Sequence, residues 1–404
     1  MSKQCNLAER MKRLGTETAF AVSAAAKEHE AKGHRVYPFH LGDMNIRTPL
    51  NIIEATHRAM MDGKTGYCPN FGIPELREAL ARNLSASHGV IFDPAEVAIQ
   101  PGGKPVIGKF LLALMNPGDE VLYPSPGYPI YESQIEFQGG VPVPYGYRPG
   151  EANFRLDLEA IERAITPKTR FLIFNDLQNP MAAEASAEER QRLAALAVKH
   201  DLWVLLDEAY FDLRYSGKTT SLIEEPGMKE RTVILYTFSK KFAMTGWRLG
   251  AAIGPAEVAA AIAKLNVNDE SCSNHFIQWG AIEALDGDPS GPREILKILK
   301  ERRDKSVELL NAIPGFSCYS PEGTFYLFPE VTEAMSALGI NDYETFRRKA
   351  LVETGVSFCT RLHFGRSIPG EDRHYVRFAY SGIDVADIEE GLGRLRKWVE
   401  DASA

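Results

Sequence analysis

The stretch YTFSKKFAMTGWRLG, from Tyr236 to Gly250, sets two lysines, a serine and an arginine behind an apolar run. A lysine shielded from water at the end of a strand is a nucleophilic amine, because burial weakens its hold on the proton. Lys240 stands at that place, whereas neighbouring Lys241 reads as a solvent-exposed lysine. Arg248 carries a planar fork of donors that suits a phosphate. Thr237 and Ser239 add hydroxyls. Elsewhere, LWVLLDEAYF ends an apolar run at Asp207. A carboxylate leaving such a strand is largely buried and needs a cation or strong donors, so a lone one is most simply a structural ion pair or a helix cap. PGGKP, at 101–105, places glycines ahead of a helix. Such a turn is a cradle of backbone N–H groups for a phosphate and, taken by itself, equally a plain turn.

One cofactor uses every member of this set. Pyridoxal 5′-phosphate needs a lysine for its aldehyde, an acid for its ring nitrogen and a cradle for its phosphate. It also takes a stacking ring and donors to its phenolic oxygen. Tyr128 in PSPGYP, Tyr210 and Asn179 are residues of those types.

The elements must bring these residues together. RFLIFNDLQNP, LWVLLDEAYF and TVILYTFSK are continuous apolar runs that end in polar groups. Runs without alternation are strands buried on both faces, so a parallel sheet under helices is expected. Helical stretches such as SAEERQRLAALAVKHD lie between them, giving βαβ order. GIPELREALARNLSASHG reads as an amphipathic helix with proline in its first turn. Asn179, Asp207, Ser239 and Lys240 fall just beyond strand ends, where open parallel sheets bind ligands. From about residue 290 a long helix, EILKILKERRDKSVELLNAI, opens a segment of shorter strands and helices.

Composition narrows the partners. The 404 residues are 44% hydrophobic and 25% charged, ordinary for a globular chain of more than one domain. A net charge of −8 argues against a standing nucleic-acid partner. No apolar run approaches the roughly 20 residues of a membrane span. MSKQCNLAERMKR lacks the apolar region of a signal peptide. Five cysteines, Cys5, Cys68, Cys272, Cys318 and Cys359, form no CxxC pair. Such scattered thiols suit a reducing cytoplasm better than a disulfide framework or a metal site.

The sequence resembles the class I/II aminotransferases of fold type I, from LGDMNIRTP nearly to the C-terminus at YVRFAYSG. SKKFAMTGWRLG is close to that family's lysine signature. GYCPNFGIPELREALA, LLDEAYFDL, PEGTFYLFP and YVRFAYSG match the family in order and spacing. The resemblance implies an aspartate-aminotransferase-like α/β fold. A large domain, 49–288, would hold a mostly parallel seven-stranded sheet between helices. A smaller α+β domain, 289–404, would be joined by the segment 1–48. It implies a homodimer with shared sites, pyridoxal 5′-phosphate as cofactor, and amino-group transfer between an amino acid and a 2-oxo acid. By resemblance, Lys240 carries the cofactor and Asp207 holds its ring nitrogen protonated. Tyr210 and Asn179 serve the phenolic oxygen, and Tyr128 stacks on the ring. Gly103, Lys104, Ser239 and Arg248 hold the phosphate, with Tyr67 reaching the partner subunit's phosphate. Gly42 and Arg377, with Asn179, bind the substrate α-carboxylate.

Several positions depart from the family pattern. NPMA at 179–182 replaces NPTG, GDMNI at 42–46 replaces GEPDF, and Thr237 replaces a serine. CTRLHFG at 359–365 stands where the family has small residues. Arg361 and His363 there would add positive charge for a second carboxylate, while Asp43 would favour a cationic side chain. The same cofactor site also supports lyase, decarboxylase and replacement chemistry, which is the alternative reading. A cofactor-binding DNA regulator is disfavoured, since only about 40 residues precede Gly42 and they carry no basic helix-turn-helix pattern.

Overall fold

A computed structural model of the chain describes residues 5–15 and 18–403. The three apolar runs form strands whose interior positions are almost all buried, and they lie side by side in a seven-stranded sheet. In chain order its strands are β1 (Val97–Gln100), β2 (Glu120–Pro124), β3 (Val141–Tyr145), β4 (Thr169–Asn175), β5 (Trp203–Asp207), β6 (Thr232–Thr237) and β7 (Gly250–Ile253). Their order across the sheet is β1-β7-β6-β5-β4-β2-β3. All neighbours are parallel except β7, which runs antiparallel to β1 and to β6. The expected mostly parallel seven-stranded sheet is therefore observed.

Helices cover both faces, as parallel strands require. The first five helices of the chain are α1 (Ala19–Ala31), which packs against Cys359 and Phe364 and not on this sheet, α2 (Leu50–Met61), α3 (Pro74–His88), α4 (Lys104–Leu114) and α5 (Ile130–Phe137). Proline begins α3, and Gly89 ends it at φ 69°, a left-handed conformation that glycine adopts without a Cβ penalty. The helix Ala187–Lys199 starts on a reciprocal cap between Ser186 and Glu189.

A second core lies beyond the sheet. Helices Ser290–Asn311, Tyr343–Thr354 and Val385–Ser403 surround a three-stranded antiparallel sheet of Tyr326–Leu327, Val376–Ala379 and Cys359–Thr360. Tyr37 and Phe39 are buried in this core with Leu299, Phe346 and Leu392. The strand Tyr37–Pro38 pairs in parallel with Val356–Ser357. The N-terminal segment thus packs with the C-terminal third of the chain. No helix among the described residues is long and apolar enough to cross a membrane.

Candidate active site

Strand register decides which groups meet. Asn175 at the end of β4 stands opposite Asp207 at the end of β5, and β6 continues past them to Thr237. A cavity of about 560 Å³ opens beyond these ends, against the second core. Lys240, Asp207, Tyr210, Asn179, Ser239 and Tyr128 all line it, as do Gly42, Gly103, Lys104, Arg248 and Arg377.

The connection from β6 to β7 carries the lysine. Because β7 reverses direction, the end of β6 and the start of β7 lie at the same edge, so Lys240 and Arg248 open onto one space. Lys240 Nζ donates to the carbonyl of Gly42 at 2.8 Å and lies 5.3 Å from the centre of the Phe325 ring. Lys241 turns away from the cavity but is half-buried instead of exposed, paired with Asp212 at 2.9 Å.

Around the glycine turn the backbone comes unusually close to its neighbours. Gly102 has φ 104°, and a Cβ there would run into the Arg248 guanidinium. A Cβ on Gly103 would come within 2.7 Å of the Leu235 side chain. The left-handed backbone at Gly102 requires glycine, while a Cβ at Gly103 would force the Leu235 side chain to move. The turn delivers the N-terminus of α4, with Gly103 and Lys104 on the cavity lining, beside Arg248 and the Thr237–Ser239 hydroxyl pair, 2.9 Å apart. That is an anion cradle in which each donor has a separate structural reason for its place.

Asp207 is 6% exposed. Tyr131 Oη donates to its Oδ2 at 2.5 Å, and the Ala209 N–H donates to its Oδ1 at 3.0 Å. Burial pushes its carboxyl up to about 6, against the pull of Tyr131, Ala209 and Lys240. Such an acid gains from a cationic hydrogen-bond donor, which a protonated ring nitrogen supplies. Tyr128 stands edge-on to Tyr131 with ring centres 5.7 Å apart, and Lys104 Nζ lies 5.7 Å over the Tyr128 ring. Tyr210 Oη is 2.9 Å from Tyr326 Oη, and burial raises its phenol well above the ordinary value.

Arg377, 4% exposed, rises from the three-stranded sheet between the rings of Tyr326 and Phe364, each 4.7 Å from its guanidinium carbon. It donates to Asn179 Oδ1 at 3.2 Å and to the His40 carbonyl at 2.5 Å, while its Nε is buried with no acceptor. A buried guanidinium with unused donor capacity fits an incoming carboxylate. Gly42 is needed beside it, since a Cβ there would meet Tyr326 Oη.

Three sequence-based expectations, for Arg361, His363 and Asp43, meet a different geometry. Arg361 does not line this cavity. It is 2% exposed and makes a close ion pair with Glu371. Its remaining donors reach Ser125 Oγ and the carbonyls of Phe364, Gly365 and Arg366. A fully engaged guanidinium has nothing left for a substrate, because the short turn Arg361–His363 directs it inward. His363 does line the cavity, but burial and the neighbouring Arg347 and Arg377 lower its pKa, so it is neutral. Asp43 accepts from Thr245 Oγ1 at 2.7 Å instead of facing the cavity. Tyr67 lies outside the cavity and is 89% exposed.

Sequence reasoning missed three cavity residues. Asn175, the actual last residue of β4, donates to the Asp207 carbonyl at 2.9 Å and accepts from the Asn179 N–H at 3.0 Å. Asn179 sits on the loop beyond, so the strand-end signal pointed to Asn175 first. Tyr131, three residues after Tyr128, had a spacing signal that was not used. Tyr326 lay in a motif, PEGTFYLFP, that was noted for order alone.

The described residues fit pyridoxal 5′-phosphate: a glycine cradle with arginine and hydroxyls, a buried acid, an aromatic wall and a lysine share one cavity. Residues 37–395 match the family model for aminotransferases of class I and II. The chain is 35% identical to the probable aspartate/prephenate aminotransferase of Aquifex aeolicus, covering 98% of this chain and 99% of that one. It is 33% identical to the aspartate aminotransferase of Bacillus subtilis, covering 98% and 100% respectively. The solved aspartate aminotransferase of Thermus thermophilus with maleate superposes with a TM-score of 0.88 at 32% identity, over 98% of this chain and 100% of that one. The chain belongs to the class I and II aminotransferases, enzymes that depend on pyridoxal 5′-phosphate.

Proposed function

We propose that this aminotransferase uses a dicarboxylic amino acid, aspartate or glutamate, or the matching 2-oxo acid, as one of its two partners. The observation that carries this reading is the distribution of cations around the cavity. Lys240 is placed for the covalent link, Arg248 lies in the glycine cradle, and Arg377 stands with Asn179 as the α-carboxylate holder. Lys104 is the further cation on the lining, on the wall with Tyr128. A second carboxylate seated against it makes a charge-assisted contact that a monocarboxylate lacks. The printed names of relatives, aspartate and aspartate/prephenate aminotransferase, and the maleate in the Thermus structure support the same class. His363 adds a neutral imidazole to this wall. Its Nδ1 is engaged with Thr360, 3.1 Å from the N–H and 2.9 Å from Oγ1.

When bound, the cofactor withdraws electrons from the substrate Cα–H bond. The chain's residues have distinct parts in this. Arg377 and Asn179 orient the substrate carboxylate. Asp207 holds a proton on the ring nitrogen, and Tyr131 and Ala209 fix the carboxylate that does so. Lys240 Nζ takes the proton from the substrate Cα as general base and returns it as general acid. Tyr210 donates to the phenolic oxygen. The backbone N–H groups of Gly103 and Lys104 hold the phosphate together with the side chains of Ser239 and Arg248. Tyr67, exposed in one protomer, completes the site of a second copy, so the enzyme acts as a homodimer. The five cysteines are all free thiols, which suits a cytoplasmic setting.

A half-reaction screen tests the reading. Holoenzyme is mixed with single amino acids, and conversion of the cofactor to its amine form is followed by absorbance. Aspartate or glutamate should convert it at much lower concentration than alanine. Lys104→Ala should raise KM for the dicarboxylate about tenfold and spare alanine. Equal affinity for alanine and aspartate in the wild type overturns the substrate class.

A further inference from the structure

Asp207 has an acidic neighbour in sequence, Glu208, that the reaction does not use. The two lie on opposite faces of the sheet. Along β5, Leu205 packs with the α4–α5 side of the core, where Tyr131 meets Asp207. Val204 and Leu206 pack on the other side with Leu84, Phe92 and Leu222. Glu208 follows that second alternation and meets His88, the last residue of α3. His88 and Glu208 have side chains 0% and 4% exposed, with Nε2 to Oε2 at 2.8 Å.

Proton positions follow from the partners. Nδ1 of His88 lies 3.1 Å from the Leu84 carbonyl, which can only accept. Ser87 Oγ donates to that same carbonyl and so offers Nδ1, 2.8 Å away, a lone pair. On the other ring nitrogen stands a carboxylate oxygen. The second oxygen of Glu208 accepts from Ser221 Oγ. Both ring nitrogens face acceptors and both carboxylate oxygens face donors, the pattern of an imidazolium–carboxylate pair. The C-terminal end of α3 favours the cation. The Phe211 ring, stacked at 4.3 Å, and the edge of Phe92 exclude water. Burial opposes the charge on His88, but Glu208, the Leu84 carbonyl and Glu224, on the turn Leu222–Glu224, outweigh it and raise its pKa.

We propose that His88 is a positioning residue for the cofactor acid, cancelling through the sheet the charge that Glu208 would otherwise set beside Asp207. An uncompensated buried carboxylate next to a second one disfavours ionisation of both. Asp207 must be ionised to hold a proton on the ring nitrogen. The sheet therefore carries a neutral pair on one face so that a single negative charge can stand on the other. This rests on the assignment of Asp207 to the ring nitrogen.

The test reads cofactor binding against pH, without turnover. Cofactor is removed, and its affinity is measured by protein fluorescence from pH 5 to pH 9 (roughly the range over which a buried carboxyl titrates). Wild type should show a midpoint from Asp207, and Asp207→Asn should abolish it. His88→Gln, which keeps a donor to Glu208 but not the charge, should move the midpoint up by about one pH unit or more. The double variant His88→Gln with Glu208→Gln, neutral again, should bring it back. A midpoint that survives Asp207→Asn overturns the assignment of Asp207, and the proposal with it. A midpoint abolished by Asp207→Asn but indifferent to His88→Gln overturns the role of the pair alone. So does an equal shift in the single and double variants, which would mark loss of packing. Should His88→Gln fail to fold, nitrogen-15 spectra of wild-type histidines decide. A doubly protonated His88 at neutral pH supports the proposal, and a neutral ring overturns it.

Discussion

Two cavities lie between the sheet core and the second core, and each has a buried arginine on its wall. The larger, about 560 Å³, has Arg377, and the smaller, about 280 Å³, has Arg361. The two guanidiniums are similarly hidden, at 4% and 2% exposure. They differ in what remains undone. Arg361 is answered by a carboxylate, a hydroxyl and three carbonyls. Arg377 has two oxygen partners, a weak thiol contact and a buried Nε with no acceptor. Burial alone therefore does not mark a functional arginine. Unused donor capacity on a cavity wall is what separates them, because an orphaned buried donor costs about 1–3 kcal/mol unless a ligand repays it. Arg347 also buries an unpaired nitrogen, but it lines neither cavity.

The largest expected contrast concerns the lysine of the larger cavity. Lys240→Ala should abolish the covalent link and lower turnover by at least about 10⁴-fold with the fold intact. Borohydride reduction and peptide mapping should place the cofactor on Lys240 in the wild type. Label on Lys241 would break the assignment. Next is Arg377→Ala, which should lower kcat/KM for every amino acid by about 10²- to 10³-fold, the scale of a lost buried charge contact. A loss confined to dicarboxylates would mean that Arg377 reads the side chain.

A pH experiment sharpens the same comparison through Asp207. Its folded-state carboxyl is raised from 3.8 to about 6, so between those values the folded protein keeps a proton that the unfolded chain has released. The cofactor-free protein should therefore lose stability as pH rises from about 4 to 6, by roughly 2–3 kcal/mol from this group. Urea denaturation across that window measures it, and Asp207→Asn should flatten that part of the slope. An unchanged slope in the variant would mean that Asp207 is not a strained, underused acid.

The smallest effect on catalysis belongs to the smaller cavity. Arg361→Ala should cost about 2–3 kcal/mol of stability, less than a fully buried pair because Glu371 keeps a quarter of its side chain in water. KM should stay the same for aspartate and for alanine. A selective rise for aspartate would erase the distinction between the two arginines.

Much of this was legible in the sequence, for reasons that differ by residue. Uninterrupted apolar runs declared the parallel sheet, and its strand ends placed Asp207 and Lys240 in one space. The motif order disclosed Arg377, which lies far along the chain. What stayed hidden depended on side-chain direction. CTRLHFG gives no sign that a short turn buries Arg361 and leaves His363 on the cavity wall. Nor does DE at 207–208 reveal that one acid faces the cavity and the other a histidine, since α3 contributes that histidine from far upstream. The antiparallel β7 was equally silent, because an apolar run does not state its direction.

The placement of that reversed strand and of the N-terminal segment has a consequence for synthesis on the ribosome. The anion cradle, the acid and the lysine all lie before β7 ends, and the sheet core is complete once the helix His275–Asp286 packs against it. Arg377 and the core that buries Tyr37 and Phe39 emerge only afterwards. The sheet core is thus complete while Gly42 and its flanking residues, and Tyr210 with them, still wait for the second core to form. Arg377 is the last of these groups to be synthesised, so no substrate carboxylate can be held until the C-terminal third has folded around the N-terminal segment.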